Sequence, residues 1–348
     1  MDGTPNIPAA RPGVGMLASD DELALLQPPV LLRMYETMAL ARALDERIWI
    51  AQRQGKVPFV VTCQGQEACQ VGAAFALRPG VDVVLPYYRD MALVLALGMT
   101  PREIMLNAFS RAEDPNSAGR QMPGHYSLPR LRIITGSSPV GTQVPHAAGV
   151  ALASRLRGEE AVAFCSFGEG ATSTGDFHEG VNFAAVFKLP VIFFCQNNRY
   201  AISVPQRRQM AVESVAQRAA GYGIEGVSVD GQNPLAVYRA VARAVEKARS
   251  GGGPTLIEAR TYRFLPHTSD DDDRLYRSRE EVERVRQRDP IPLFRRRLVE
   301  AGLLTEDEDR AIQARIAQVV EEAATYAEQA PLPDPSTVAR HVFAEAEP

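Results

Sequence analysis

Four short runs, AVAFCSF (161–167), VIFFCQ (191–196), GVSVD (226–230) and TLIEART (255–261), are apolar or β-branched almost throughout, with helix-patterned stretches between them. A strand with one wet face alternates apolar and polar residues. Near-continuous apolar strands are those buried on both faces, as in parallel sheets whose crossovers are helices. The pattern predicts helices over 143–157, 174–187, 213–220 and 233–249, the last closed by SGGG as a C-terminal stop. The segment from about 142 onward is therefore expected to be α/β: a parallel sheet with helices on both faces.

Helices are also expected on either side of this segment. Leu32, Tyr35, Met38, Ala39, Leu44 and Ile48 follow helical spacing across 29–54, which predicts a long amphipathic helix. QEACQVGAAFAL, MALVLALG and PREIMLNAF read as further helices, with Pro101 at a helix start, and charged helices follow over 278–330. No solenoid repeat or linker stands out. The expected organisation is a loose N-terminal arm (1–28), one domain (29–330) with N- and C-terminal helical extensions, and a Pro-rich tail (331–348).

With 38 Lys and Arg against 42 Asp and Glu, the chain carries a net charge of −4. Nothing here provides the clustered basic charge that nucleic acid requires. The N-terminus lacks a signal-peptide core, and no run reaches the ~18–20 apolar residues of a membrane span. Cys63, Cys69, Cys165 and Cys195 form no C-x-x-C pair and read as reduced core thiols of a cytoplasmic protein.

The chemistry concentrates in FGEGATSTGDFHEGVNFAAVFKLPVIFFCQNNRYAIS (167–203). Gly168-Glu169-Gly170 follows one expected strand and Asn197-Asn198 the next, with 26 residues between Gly170 and Asn197. In a parallel sheet the carboxyl ends of neighbouring strands open on one crevice. Glu169 and Asn198 there offer hard oxygen ligands suited to Mg²⁺, which binds through a few protein groups plus substrate phosphates. The glycines let main-chain amides approach phosphate oxygens, and a helix starting near Thr174 would add its N-terminal dipole.

Other features carry less. His125 in GRQMPGHYS either faces a substrate channel or stabilises a turn. His146 and His178 suit packing or surface roles, and His341 lies in the tail. Asp270–Asp273 lacks the alternating ligands and glycine of a calcium loop; Arg263, Arg274, Arg277 and Arg279 are its expected salt partners.

The Gly-Glu-Gly to Asn-Asn pair resembles the thiamine diphosphate and Mg²⁺ motif of thiamine-dependent enzymes. LPYYRDMALVLALGM (85–99), GRQMPGHYS (119–127), SSPVGTQVPHAAG (137–149), FFCQNNRYAIS and TYRFLPHTSDDDDRLYRS (261–278) narrow the resemblance to the α subunit of the E1 component of 2-oxo acid dehydrogenase complexes, branched-chain type. It spans about 30–300 and implies the thiamine diphosphate-binding fold.

Carried over by residue, the resemblance implies that Glu169, Asn198 and the Tyr200 main-chain carbonyl hold Mg²⁺. It also implies that Tyr88, Arg89 and His267 contact the diphosphate, and that Ser138, Val140, Gly170 and Ala171 line the cofactor. Ser137, Pro139, Thr142 and Gln143 match a K⁺ site. One departure is Gln196, where some relatives have an arginine that reaches the diphosphate. Thr268 and Ser278 lie where some relatives are phosphorylated. His267 is the expected catalytic residue, holding the diphosphate and handling a proton. The implied reaction is oxidative decarboxylation of a branched-chain 2-oxo acid with acyl transfer to a lipoyl group, within an α2β2 assembly with a β subunit that docks on a lipoyl-bearing E2. A pyruvate- or acetoin-type α subunit and a non-catalytic scaffold of the same fold are the alternatives.

Overall fold

A computed structural model of the chain describes residues 20–343; most of the expected arm (1–19) and the end of the tail (344–348) lie outside the described residues. The sheet has five strands, β1 (Val83–Leu85), β2 (Ala163–Gly168), β3 (Val191–Asn197), β6 (Glu225–Asp230) and β7 (Thr255–Arg260), in the order β1-β2-β3-β7-β6. Every pairing is parallel. Two short strands, β4 (Tyr200–Ala201) and β5 (Val204–Pro205), form an antiparallel hairpin just beyond β3.

Alternation along the strands sends side chains to two cores. Phe164, Ile192, Phe194 and Ile257 pack with the helices Pro28–Arg53, Glu67–Ala74 and Pro234–Arg249. Cys165, Phe167, Val191, Phe193 and Cys195 pack with Gln143–Leu156 and Gly175–Val186. Each buried Phe contributes roughly 1.5–3 kcal/mol over an exposed one, so Phe194→Asp would be expected to break the central strand. All four cysteines are free and buried.

The C-terminal helices Pro290–Glu300 and Glu306–Gln329 lay Phe294, Leu298, Ile312 and Ile316 on the same core as the long helix Pro28–Arg53. The last of them starts at a Thr305/Glu308 capping box, which satisfies two otherwise unpaired donors. No described helix is long and apolar enough to cross a membrane.

Two expectations need correction. β1 lies well ahead of 142 and is three residues long; its strand character comes from pairing Val83–Leu85 with Ala163–Cys165, which its local sequence does not announce. The expected helix over 213–220 is a 3-10 helix, Val215–Tyr222.

Candidate functional site

The register brings four strand ends together. Gly168 pairs with Gln196, and Asn197 with Arg260, so the residues after β1, β2, β3 and β7 all leave the sheet at one edge. They close a cavity of about 390 Å³ lined by Tyr88 and Arg89 after β1, Glu169–Ala171 after β2, Asn198 and Tyr200 after β3, and Arg263 and His267 after β7. Ser137, Ser138, Val140 and Gln143 line it from the loop ahead of the helix Gln143–Leu156. Of the expected site residues, Pro139 and Thr142 are not among the lining; instead the Thr142 hydroxyl donates to the Pro139 carbonyl at 3.0 Å.

Glu169 is 1% exposed. Its Oε2 accepts the Asn198 N–H at 3.2 Å, while Oε1 has no partner. Burial pushes its pKa up to about 7 against the pull of main-chain N–H groups and of Arg263 and Arg89, so this carboxylate gains from a cation beside it. The two asparagines divide the work. Asn197 faces the fold, donating to Gln206 and Glu258, whereas Asn198 lines the cavity. Arg199, at φ +74°, makes the turn between strand end and hairpin. The Tyr200 hydroxyl points to Glu281.

Gly170 is a close-packing glycine: a Cβ there would lie 2.9 Å from the Ala201 Cβ. A 3-10 turn, Glu169–Ser173, separates β2 from the helix Gly175–Val186. The start of that helix, capped by Thr174, lies behind this turn and not in the lining.

Arg89 is buried. Its Nη1 donates to the Thr62 carbonyl at 2.7 Å, Nη2 lies 3.2 Å from both His267 Nδ1 and the His267 carbonyl, and Nε has no partner. A guanidinium only donates, so His267 Nδ1 accepts and the ring proton sits on Nε2. Burial, then Arg89 and Arg263, push the His267 pKa down to about 3 despite Asp271. The imidazole is neutral at physiological pH. Tyr88 stands edge-on to it.

His125 lines the cavity and also stabilises a turn. Nδ1 bonds the Met122 carbonyl at 2.9 Å, and Nε2 lies 2.8 Å from the Ser138 hydroxyl. Nδ1 therefore carries a proton, and Nε2 and the Ser138 hydroxyl share a hydrogen bond. His125 thus holds a turn and fixes a hydroxyl in the cavity wall. His146 and His178 are exposed and away from the cavity.

Gln196 does not reach the cavity. It is fully buried, accepting from Gln70 at 2.9 Å and donating to Ser166 at 2.8 Å and to Asp90. Gln70 in turn donates to the Arg89 carbonyl at 3.0 Å. This network ties the turn bearing Tyr88 and Arg89 to the strand ends.

In the acidic run, Asp272 pairs with Arg274 and Asp273 with Arg277, at 2.7 and 2.6 Å. Arg277 also donates to the carbonyls of Arg263 and Leu265, holding the loop in place. Asp271 accepts the His267 N–H at 2.7 Å and the Tyr276 hydroxyl at 2.5 Å. Arg263 and Arg279 pair with none of these aspartates, against expectation. Arg279 is exposed, and the Arg263 fork is taken up by main-chain carbonyls and Tyr276. Thr268 lines the cavity, and Ser278 caps the helix Arg279–Arg286. Arg263 and the apolar wall of Phe59, Val61 and Met122 went unread as site residues. TYRF placed Arg263 just past a strand end, a usable signal; Phe59 and Val61 carry none.

The family model for the dehydrogenase E1 component matches residues 35–336. The chain is 56% identical over 312 residues to the 2-oxoisovalerate dehydrogenase subunit alpha of Bacillus subtilis, covering 90% of this chain and 94% of that one. It is 42% identical over 315 residues to the 3-methyl-2-oxobutanoate dehydrogenase subunit alpha of Mycobacterium tuberculosis, covering 90% and 83%. To the mitochondrial 2-oxoisovalerate dehydrogenase subunit alpha of Homo sapiens it is 37% identical over 332 residues, covering 95% and 74%. A match of this extent, over a sheet whose strand ends build one cavity, means that the chain belongs to the dehydrogenase E1 component family.

Proposed function

We propose that the chain is the α subunit of a branched-chain 2-oxo acid dehydrogenase E1 component, binding thiamine diphosphate and Mg²⁺ in the strand-end cavity. One observation carries the cofactor reading: two residues that line the same cavity each hold a buried polar atom without a partner, the acceptor Glu169 Oε1 and the cationic donor Arg89 Nε. A divalent cation suits the first and a phosphate the second, so the residues present fit the group.

Glu169, Asn198 and the Tyr200 carbonyl would hold Mg²⁺. Arg89 and the Nε2–H of His267 would donate to phosphate oxygens beside Tyr88, with the main chain of Gly170 and Ala171 and the side chains of Ser138 and Val140 along the cofactor. When bound, thiamine diphosphate supplies the carbon nucleophile that adds to a 2-oxo carbonyl and accepts the electrons released as carbon dioxide leaves. Phe59, Val61 and Met122 would present an apolar wall to the substrate. His267, neutral and bearing its proton on Nε2, handles a proton at that nitrogen. The unpartnered Gln143 Oε1 supports a K⁺ site on the 137–143 turn, with Ser137, Pro139 and Thr142.

Met122, Val140 and Ile202 at the cavity are 49%, 42% and 55% exposed. A wall this open in one chain supports a covering β subunit in an α2β2 assembly, with a lipoyl-bearing E2 as acyl acceptor. Four buried free thiols support a reducing, cytoplasmic setting. We assign 29–330 to the cofactor-binding domain.

The test is co-expression with a β subunit, followed by turnover of 3-methyl-2-oxobutanoate, pyruvate and acetoin with and without thiamine diphosphate and Mg²⁺. Preferred turnover of 3-methyl-2-oxobutanoate is expected. Preference for pyruvate or acetoin would reassign the substrate, and absence of Mg²⁺-dependent cofactor binding would leave a scaffold. Full turnover by the isolated chain would overturn the β-subunit requirement.

A further inference from the structure

Arg89 and Arg263 are the only arginines that line the cavity among the described residues, and lysine is absent from the lining. Arg263 is 1% exposed. Its Nε donates to the Leu265 carbonyl at 3.1 Å, and its Nη2 donates to the Ile202 carbonyl at 3.1 Å and the Tyr276 hydroxyl at 2.9 Å. All three partners are neutral. Nη1 has none.

A permanently charged guanidinium is costly to bury without a counter-charge. Burial, and then the nearby Arg89, push the Arg263 pKa down to about 10. Two buried guanidiniums therefore line one cavity, and each has one nitrogen, itself buried, without a hydrogen-bond partner. Other arginines near the loop are differently employed: Arg277 pairs with Asp273 and loop carbonyls, and Arg274 with Asp272. The diphosphate and Glu169 together outweigh one divalent cation and one guanidinium, so a second guanidinium balances the site.

We propose that Arg263, through Nη1, is a second guanidinium donor to the diphosphate of the cofactor. The inference rests on the cofactor reading above. Nε and Nη2 fix the plane of the fork against the hairpin and the loop, and so pre-orient Nη1. A guanidinium held this way loses little side-chain freedom when Nη1 meets an anion, whereas a lysine would have to order a flexible stem.

The test titrates thiamine diphosphate and, separately, inorganic diphosphate, each with Mg²⁺, into the purified complex of the full chain with its β subunit. Wild type, Arg263→Gln and Arg263→Lys are compared, with thermal unfolding and trypsin cleavage of the 266–278 loop followed in the ligand-free state. Loss of a charged hydrogen bond predicts binding of both ligands about 10- to 100-fold weaker in Arg263→Gln, with ligand-free unfolding and loop cleavage as in wild type. Arg263→Lys, which keeps the charge and gives up the fork, is expected to lie between.

Binding within twofold of wild type in Arg263→Gln overturns the assignment. So does weakening that appears only together with faster ligand-free loop cleavage, since Arg263 would then act through the loop. If Arg263→Gln fails to fold, Arg263→Lys decides: wild-type affinity overturns the assignment and intermediate affinity supports it. Wild type binding neither ligand would overturn the cofactor reading itself, a result distinct from wild-type binding that Arg263 does not influence.

Discussion

His267 Nδ1 lies 3.2 Å from Nη2 of Arg89, a residue 178 positions away in the chain. Because the guanidinium can only donate, this contact and the burial around it keep the imidazole neutral. The folded pKa, about 3, lies below the ordinary 6.5. His267 therefore contributes stability that is fully present above pH 6.5 and is lost as the pH falls toward 3. Ring-proton NMR of the ligand-free chain should show His267 unprotonated at pH 5, and His267→Gln should flatten the loss of stability across that window. A ring titrating near 6.5 would contradict the geometry.

His267→Ala should lower turnover of the αβ complex by about 10²–10⁴-fold, the usual effect of losing a proton-transfer group, and should also weaken cofactor binding. Steady-state kinetics and calorimetry check the two effects separately. Unchanged turnover and affinity would remove His267 from the mechanism.

Glu169→Gln should abolish Mg²⁺-dependent cofactor binding while leaving the ligand-free fold as stable as wild type or more so. The buried carboxylate has one oxygen without a partner, and a neutral amide of the same shape costs less to bury. Calorimetric titration and thermal unfolding of the ligand-free complex give the two readings. A large drop in stability with cofactor binding retained would make Glu169 structural.

Gln196→Leu should destabilise the fold by on the order of 1–3 kcal/mol, because it removes one hydrogen bond from each of three buried side chains, Gln70, Ser166 and Asp90. Asp90, which burial pushes up to about 7, would become still harder to ionise. Denaturant unfolding measures the loss. A neutral outcome would mean that the network relaxes around the gap.

The 266–278 loop should be cleaved by trypsin more slowly with thiamine diphosphate and Mg²⁺ than without. Arg274 on this loop is exposed, while His267 and Thr268 at its start line the cavity, so a ligand there would restrain the segment. Equal cleavage in both states would separate loop order from cofactor binding.

What was legible in the chain, and what was not, follows from how far each signal reaches. β2, β3 and β7 could be read locally because burial on both faces demands unbroken apolar runs. β1 could not, since three residues become a strand only through their partners. Glu169 and Asn198 could be placed together because parallel strands align their carboxyl ends, whatever the side chains. Arg263 was matched to its acidic neighbours in sequence, yet the fold gave its fork to the carbonyls of Leu265 and Ile202 and to Tyr276.

The amino-acid sequence by itself determined the parallel α/β sheet and the meeting of Glu169 and Asn198 at its edge, because apolar period and strand-end spacing are local quantities. Only the tertiary structure decided which buried cationic groups are left with a donor that has no partner. A side chain's hydrogen-bond partners come from segments far away in the chain, and it is the donors left without one that define a binding site.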